Sequence, residues 1–205
     1  MKKQPEITEK TRDVFINVFC ELYIKKPIER ISVKEIADIA GYNRSTFYEY
    51  FSDIYELLEY IENDLLNYIK EELINKNSST ISIENALNCF ENKNHILYMS
   101  TLLSDYGSFR FLERLKSEIP IDEIILNYTK DDSLTPYLTE FYITTALSLF
   151  RLWIRRNKDL SIDELSFLAH NLFVSGMSYI TGLEKNLTYI SKVYLTRTTK
   201  KTFTI

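Results

Sequence analysis

Apolar positions recur every three or four residues along most of this chain, the period of a helix with one buried face. From Thr8 to about Ile24 the stripe is Val14, Phe15, Val18, Phe19 and Leu22, with Tyr23 at its margin, and Pro27 ends the segment. Two short amphipathic pieces follow on either side of Gly41. After Phe51, Ser52-Asp53 caps a long helix from Ile54 to about Asn75, carrying Ile54, Leu57, Leu58, Ile61, Leu65, Tyr68, Ile69 and Leu73 on one face. Asn75 to Thr80 is a loop by composition. Beyond it the pattern predicts helices over 83–91, 94–104 and 109–128, the last capped by Ser108 and open to interruption at Pro120. Two longer helices, about 136–157 and 162–180, begin with Pro136 in a first turn and with a Ser161/Glu164 capping-box spacing. The end of the chain, 181–205, is a less regular extension in which 186–195 could form a short helix. No sustained apolar/polar alternation marks a strand, so the expected class is all-α.

The stretch Ser32 to Phe51 organises the rest. Ser32 stands three residues before Glu35, a second capping-box spacing, and Ile36, Ile39 and Ala40 are placed to face inward. Gly41 supplies the backbone freedom of a tight turn past a helix end. Asn43 is a suitable cap for the next segment, where Phe47, Tyr50 and Phe51 repeat the helical spacing. Helix, glycine turn and helix is the sequence form of a helix-turn-helix, whose second helix enters the DNA major groove. With Phe47 and Phe51 turned inward, Arg44, Ser45, Thr46, Tyr48 and Glu49 point outward. Arg44 sits at the N-terminal end, where base-reading residues lie, and arginine is the commonest bidentate reader of guanine. The hydroxyls of Ser45 and Thr46 suit bases or phosphates, and Tyr48 can bond a phosphate oxygen. An ordinary helical hairpin with a polar outer face would show the same periodicity.

From about Thr11 to Leu58 the chain resembles the N-terminal domain of TetR-type transcriptional regulators. The resemblance rests on Ile36-Ala37-Asp38-Ile39-Ala40-Gly41-Tyr42-Asn43-Arg44-Ser45-Thr46-Phe47-Tyr48-Glu49-Tyr50-Phe51. It implies that Arg44, Ser45 and Thr46 approach base edges, and that Tyr48, Tyr50 and the helix start at Ser32 contact the phosphate backbone. Tyr42, in the turn beside Asn43, is placed to reach the DNA as well. Two positions depart from the family pattern. Ile54 replaces a usual lysine, which leaves one phosphate contact unsupported, and Lys26-Pro27-Ile28 replaces a loop that usually holds a glycine.

Charge changes the picture only in degree. The chain of 205 residues carries a formal net charge of −4, but residues 1–52 hold nine Lys/Arg against eight Asp/Glu. A nonspecific polyelectrolyte binder is therefore disfavoured, whereas a site-specific reader relying on dimerisation, hydroxyls and helix N-termini is compatible. Cys20 and Cys89 read as reduced thiols of a cytoplasmic protein. No apolar run approaches the ~18 residues of a membrane helix. There is no Gly-rich phosphate loop, Walker pattern or Gly-x-Ser-x-Gly elbow. His95 and His170 lack spaced Cys or His partners for zinc, and His95 reads as a surface or core histidine. No enzyme, cofactor or metal is expected.

The resulting division is a three-helix DNA-binding domain over 1–53, a helical effector-binding and dimerisation domain over 54–180, and the 181–205 extension. The resemblance implies a small-molecule pocket in the second domain. Phe90, Tyr98, Met99, Tyr106, Phe109, Phe111, Tyr142, Phe150 and Trp153 are its candidates, although such a stripe also suits plain core. Leu138, Phe141, Thr145, Leu149, Leu168, Leu172, Gly176 and Tyr179 are candidates for an isologous interface. Residues 150–165 also resemble the C-terminal halves of regulators tied to dihydroxyacetone kinase operons. The expected function is that of a homodimeric regulator, in the first instance a repressor, on a palindromic double-stranded operator. An effector would release it by moving the helix at 54–75 as a lever. A helical protein–protein interaction module or co-activator that retains the fold is the alternative.

Overall fold

The computed structural model describes residues 5–75, 93–107, 109–126, 129 and 133–181. The expected helix at 83–91 with Cys89 and Phe90, the loop at 76–80, Ser108 and the 182–205 extension with its helix at 186–195 lie outside them, as does the side chain of Tyr179. Among the described residues the fold is all-α. The helices are α1 (Pro5–Tyr23), α2 (Val33–Ala40), α3 (Arg44–Tyr48), α4 (Ile54–Asn75), α5 (Lys93–Leu102), α6 (Phe109–Glu118), α7 (Ile121–Leu126), α8 (Thr135–Arg155) and α9 (Ile162–Thr181), with a 3-10 turn at Ile28–Arg30. Pro120 separates α6 from α7, as a residue without an N–H must at a helix interior.

The chain divides into two compact units. The first comprises residues 1–120 and 150–159, and the second 121–149 and 160–205. In the first, α1 packs against α2 and α5, and α4 packs against α5 and α6. The buried side of α1 is Phe15, Ile16, Phe19, Cys20 and Tyr23, while Val14, Val18 and Leu22 are half-buried. The expected stripe is thus rotated by about one position, because α1 is covered by two neighbours and the buried arc extends to Ile16 and Cys20. Burial pushes the Cys20 thiol up to about 12, against a smaller opposing effect of a hydrogen bond with Thr101, so it is a packing residue rather than a reactive one.

Two polar clusters fix α4 to its neighbours. Glu62, only 1% exposed, receives Arg114 at 3.0 Å and Arg110 at 3.3 Å. A buried carboxylate is tolerated only with such partners, so these contacts define how α6 lies on α4. Toward α5, the His95 Nε2 lies 3.0 Å from Asp64 Oδ2, and the imidazole stacks on Tyr68 with centroids 3.8 Å apart. His95 is therefore a buried, paired core histidine. In the second unit Tyr142 packs edge-on against Phe173 at 4.9 Å, and α9 opens with a complete capping box. The Glu164 N–H donates to Ser161 Oγ at 3.2 Å and the Ser161 N–H donates to Glu164 Oε2 at 2.8 Å.

Glu118 on α6 accepts from Lys70 at 2.7 Å and from Arg114 at 2.8 Å, and these bonds hold its carboxyl below the ordinary value. The folded protein binds that proton less tightly than the unfolded chain does. The contribution to stability is therefore complete above the ordinary carboxylate range and is lost as pH falls through the lowered value. Urea unfolding should show Glu118→Gln costing more at about pH 7 than at about pH 3, and an equal cost at both would contradict the linkage.

Candidate nucleic-acid interface

The helix-turn-helix is assembled by local rules. Ser32 Oγ accepts the Glu35 N–H at 3.2 Å and starts α2. The reciprocal half of the expected capping box does not form. Instead the Glu35 carboxylate takes Lys26 Nζ at 2.6 and 2.7 Å, so the lysine in the loop after α1 ties that loop to α2. Gly41 ends α2 at φ +73°, ψ +27°. Its N–H donates to Asp38 O at 3.3 Å and the Tyr42 N–H to Ala37 O at 3.0 Å, the paired bonds of a Schellman turn. The left-handed backbone there requires glycine, and it turns the chain sharply into α3.

Asn43 occupies the cap position of α3 with extended backbone, but its side chain makes no capping hydrogen bond. The expected role as a side-chain cap is not met, and the exposed amide stays at the head of the helix. Phe47 anchors α3 from below. It is 0% exposed, meets Phe15 of α1 edge to face at 5.4 Å and has the Phe51 ring at 5.7 Å. Opposite that anchor, Arg44, Ser45, Tyr48 and Glu49 are exposed and Thr46 is half-buried. Tyr42 and Tyr50 both lean on the Phe15 ring, at 5.4 and 6.0 Å. The motif is closed by Asp53, whose Oδ1 accepts the N–H groups of Tyr55 and Glu56 at 2.8 Å and starts α4 just where Ile54 stands.

One expected core position of the motif is corrected. Ile39 is 55% exposed, and the buried pair of α2 is Ile36 with Ala37. On a helix this short, three apolar residues do not fix the phase of the buried face, and the Schellman turn and the packing on α1 set it instead.

The effector-pocket candidates fall into different surroundings. Tyr98, Met99, Phe111, Phe150 and Trp153 are buried in the first unit, and Tyr142 is buried in the second. Tyr106 and Phe109 are exposed. Phe150 lines a cleft of about 170 Å³, and Tyr106 lines a groove of about 430 Å³ with Tyr23, Glu59 and Glu62. Burial raises the Tyr98 hydroxyl well above its usual value, so it acts as a donor at any physiological pH. Of the interface candidates, Phe141 is 59% exposed and Leu172 60% exposed, Leu168 and Gly176 are also exposed, and Leu138, Thr145 and Leu149 are half-buried.

These features define an all-α protein built on a helix-turn-helix. Residues 16–61 match the model of the family of bacterial regulatory proteins of the tetR type, so this segment is similar to the helix-turn-helix domain of those regulators. The chain is 31% identical over 124 residues to the HTH-type dhaKLM operon transcriptional activator DhaS of Lactococcus lactis subsp. lactis (strain IL1403). That match covers 58% of this chain and 63% of the relative, so it spans less than two thirds of the relative's length. The fold is shared with a solved dihydroxyacetone kinase operon activator DhaS, at TM-score 0.52 and 22% identity over 82% of this chain and 97% of the other. It is shared also with a TetR transcriptional regulator from Streptococcus agalactiae 2603V, at TM-score 0.55 and 22% identity over 82% and 96%. A TetR family transcription regulator from Marinobacter aquaeolei VT8 gives TM-score 0.59 and 16% identity over 84% and 97%.

The Phe47 anchor has a measurable weight. Phe47→Ala should destabilise the protein by about 3–5 kcal/mol in urea unfolding, because it opens a cavity between α1 and α3. A loss below about 1 kcal/mol would mean that α3 is held by something other than this packing.

Proposed function

We propose that this chain is a homodimeric transcriptional regulator that reads a palindromic operator with α3 and answers to a small-molecule effector. Residues 1–53 form the reading domain, and 54–180 carry effector binding and dimerisation. The observation behind this reading is the two-sidedness of α3: Phe47 wholly buried beneath it, and Arg44 and Ser45 exposed above it. Arg44, Ser45 and Thr46 address base edges, while Ser32, Tyr42, Asn43, Tyr48 and Tyr50 position the backbone. Two copies about 34–36 Å apart would match one turn of duplex DNA. The exposed apolar side chains of the second unit, Tyr137, Phe141, Phe167, Leu168 and Leu172, support a twofold mate, because exposed apolar residues in such number mark an interaction surface. The site of action is the cytoplasm, where the DNA is.

Repression, relieved when the effector draws α4 away from the DNA-binding geometry, is the first reading. The likeness to an activator, DhaS, supports a second, in which the same dimer recruits transcription. Transcription of the bound promoter in vitro separates the two by its sign.

Selection of genomic fragments should recover a specific sequence. Arg44→Ala should weaken its binding by about 1–3 kcal/mol, or roughly 5- to 150-fold, with stability unchanged. Equal retention of every fragment by both forms would favour a protein-binding module instead. Sedimentation of wild type should give a dimer, and Phe141→Glu with Leu172→Glu should give a folded monomer. An unaltered dimer would place the interface elsewhere.

A further inference from the structure

The cleft of about 170 Å³ in the first unit lies between Ile24, just past α1, the end of α5 with the turn after it, and the last turns of α8. Its walls are largely hydrocarbon, from Ile24, Leu103, Phe150 and Ile154. Two polar groups in it have no counterpart. The guanidinium of Arg151, on a half-buried side chain, makes no ion pair or hydrogen bond among the described residues, and its Nε is buried without an acceptor. The Ser104 hydroxyl is likewise buried and unpartnered. Neither gap is filled from nearby. Asp105, the acid lining the cleft, is largely in solvent and faces Arg155 at 3.6 Å, and the Ser100 hydroxyl donates to Ile96 O at 2.6 Å.

A guanidinium whose Nε is shielded from water without an acceptor is left unsatisfied, and a planar bidentate oxyanion that reaches Nε together with a terminal nitrogen is its natural partner. We propose that this cleft binds a small carboxylate with an apolar body. Arg151 takes the carboxylate oxygens, Ser104 donates to one of them, and the hydrocarbon walls hold the rest of the molecule. This combination of an apolar recess and a few convergent polar groups is the usual build of a ligand site. Because Ile24 directly follows the first helix of the reading domain, an occupant would touch the residue that ends α1 and the last turns of α8 together. That position would make it an effector site, a role that rests on the regulator reading above.

Calorimetric titration of the full-length protein without DNA tests the site independently of operator binding. The probes are hexanoate, 1-hexanol and inorganic phosphate. Hexanoate should bind saturably, hexanol should bind at least about tenfold more weakly for want of the charge, and phosphate likewise for want of the apolar body. Arg151→Met should weaken hexanoate about tenfold or more, and Ser104→Ala by a smaller factor. Leu103→Trp, which fills the cleft and leaves Arg151 in place, should abolish binding even if the arginine variant fails to fold. Absence of saturable hexanoate binding, equal binding of hexanol, tighter binding of phosphate, or undiminished binding by folded Arg151→Met would each overturn the assignment. Fragment retention measured separately, with and without hexanoate, tells failure of this site from failure of the regulator reading. Binding of hexanoate with no specific fragment retained would sink the latter alone.

Discussion

The edge-to-face contact of Phe47 with Phe15, at a centroid distance of 5.4 Å, is the interaction on which the proposed reading surface depends. The helix it anchors has only five residues, too few to persist by its own hydrogen bonds. Burying Phe47 fixes the rotation of α3 about its axis, and that rotation decides which residues point away. Tyr42 before the helix and Tyr50 after it lean on the same Phe15 ring, so both ends of α3 are referenced to α1. The exposed Arg44–Ser45 face is thus a consequence of aromatic packing on the opposite side, joined to a glycine turn that sets the angle.

The second constraint is the way α4 is held. Its start is fixed by Asp53, which caps it within the reading motif. Further along, Glu62 is clamped by two arginines of α6, Asp64 pairs with His95 of α5, and Lys70 meets Glu118. Because Glu62 is buried, separating it from both arginines would leave an uncompensated charge, so α4 and α6 are expected to move together. A ligand can use that coupling only to the extent that it prefers one arrangement of these helices over another.

Much of the motif was legible because its signals are local. Ser32, Gly41 and Asp53 act on backbone groups within a few residues, and Phe47 lies on the inward side of a segment with helical spacing. The Pro120 break was likewise visible, since proline acts at its own position. What escaped was decided by partners distant in sequence. Glu35 was read as half of a capping box, but Lys26 outcompetes the Ser32 N–H for it. Asn43 was read as a side-chain cap, yet its amide makes no such bond. The buried faces of α1 and α2 were off by about a residue, burying Ile16 because two neighbours cover α1, and exposing Ile39 because the periodicity of the short α2 gives a face but not its centre. The clamp on Glu62 and the Arg151 guanidinium without a partner among the described residues have no local signature at all. They arise where helices far apart in the chain meet.

The most direct test of the central claim is hydroxyl-radical footprinting on the fragment the protein selects. Two α3 helices presented by a twofold assembly should protect two equivalent patches on one face of the duplex. Their centres should lie about one helical turn apart, with guanine N7 methylation in each half-site interfering with binding. A single patch, continuous protection without phase, or insensitivity to major-groove methylation would contradict the account.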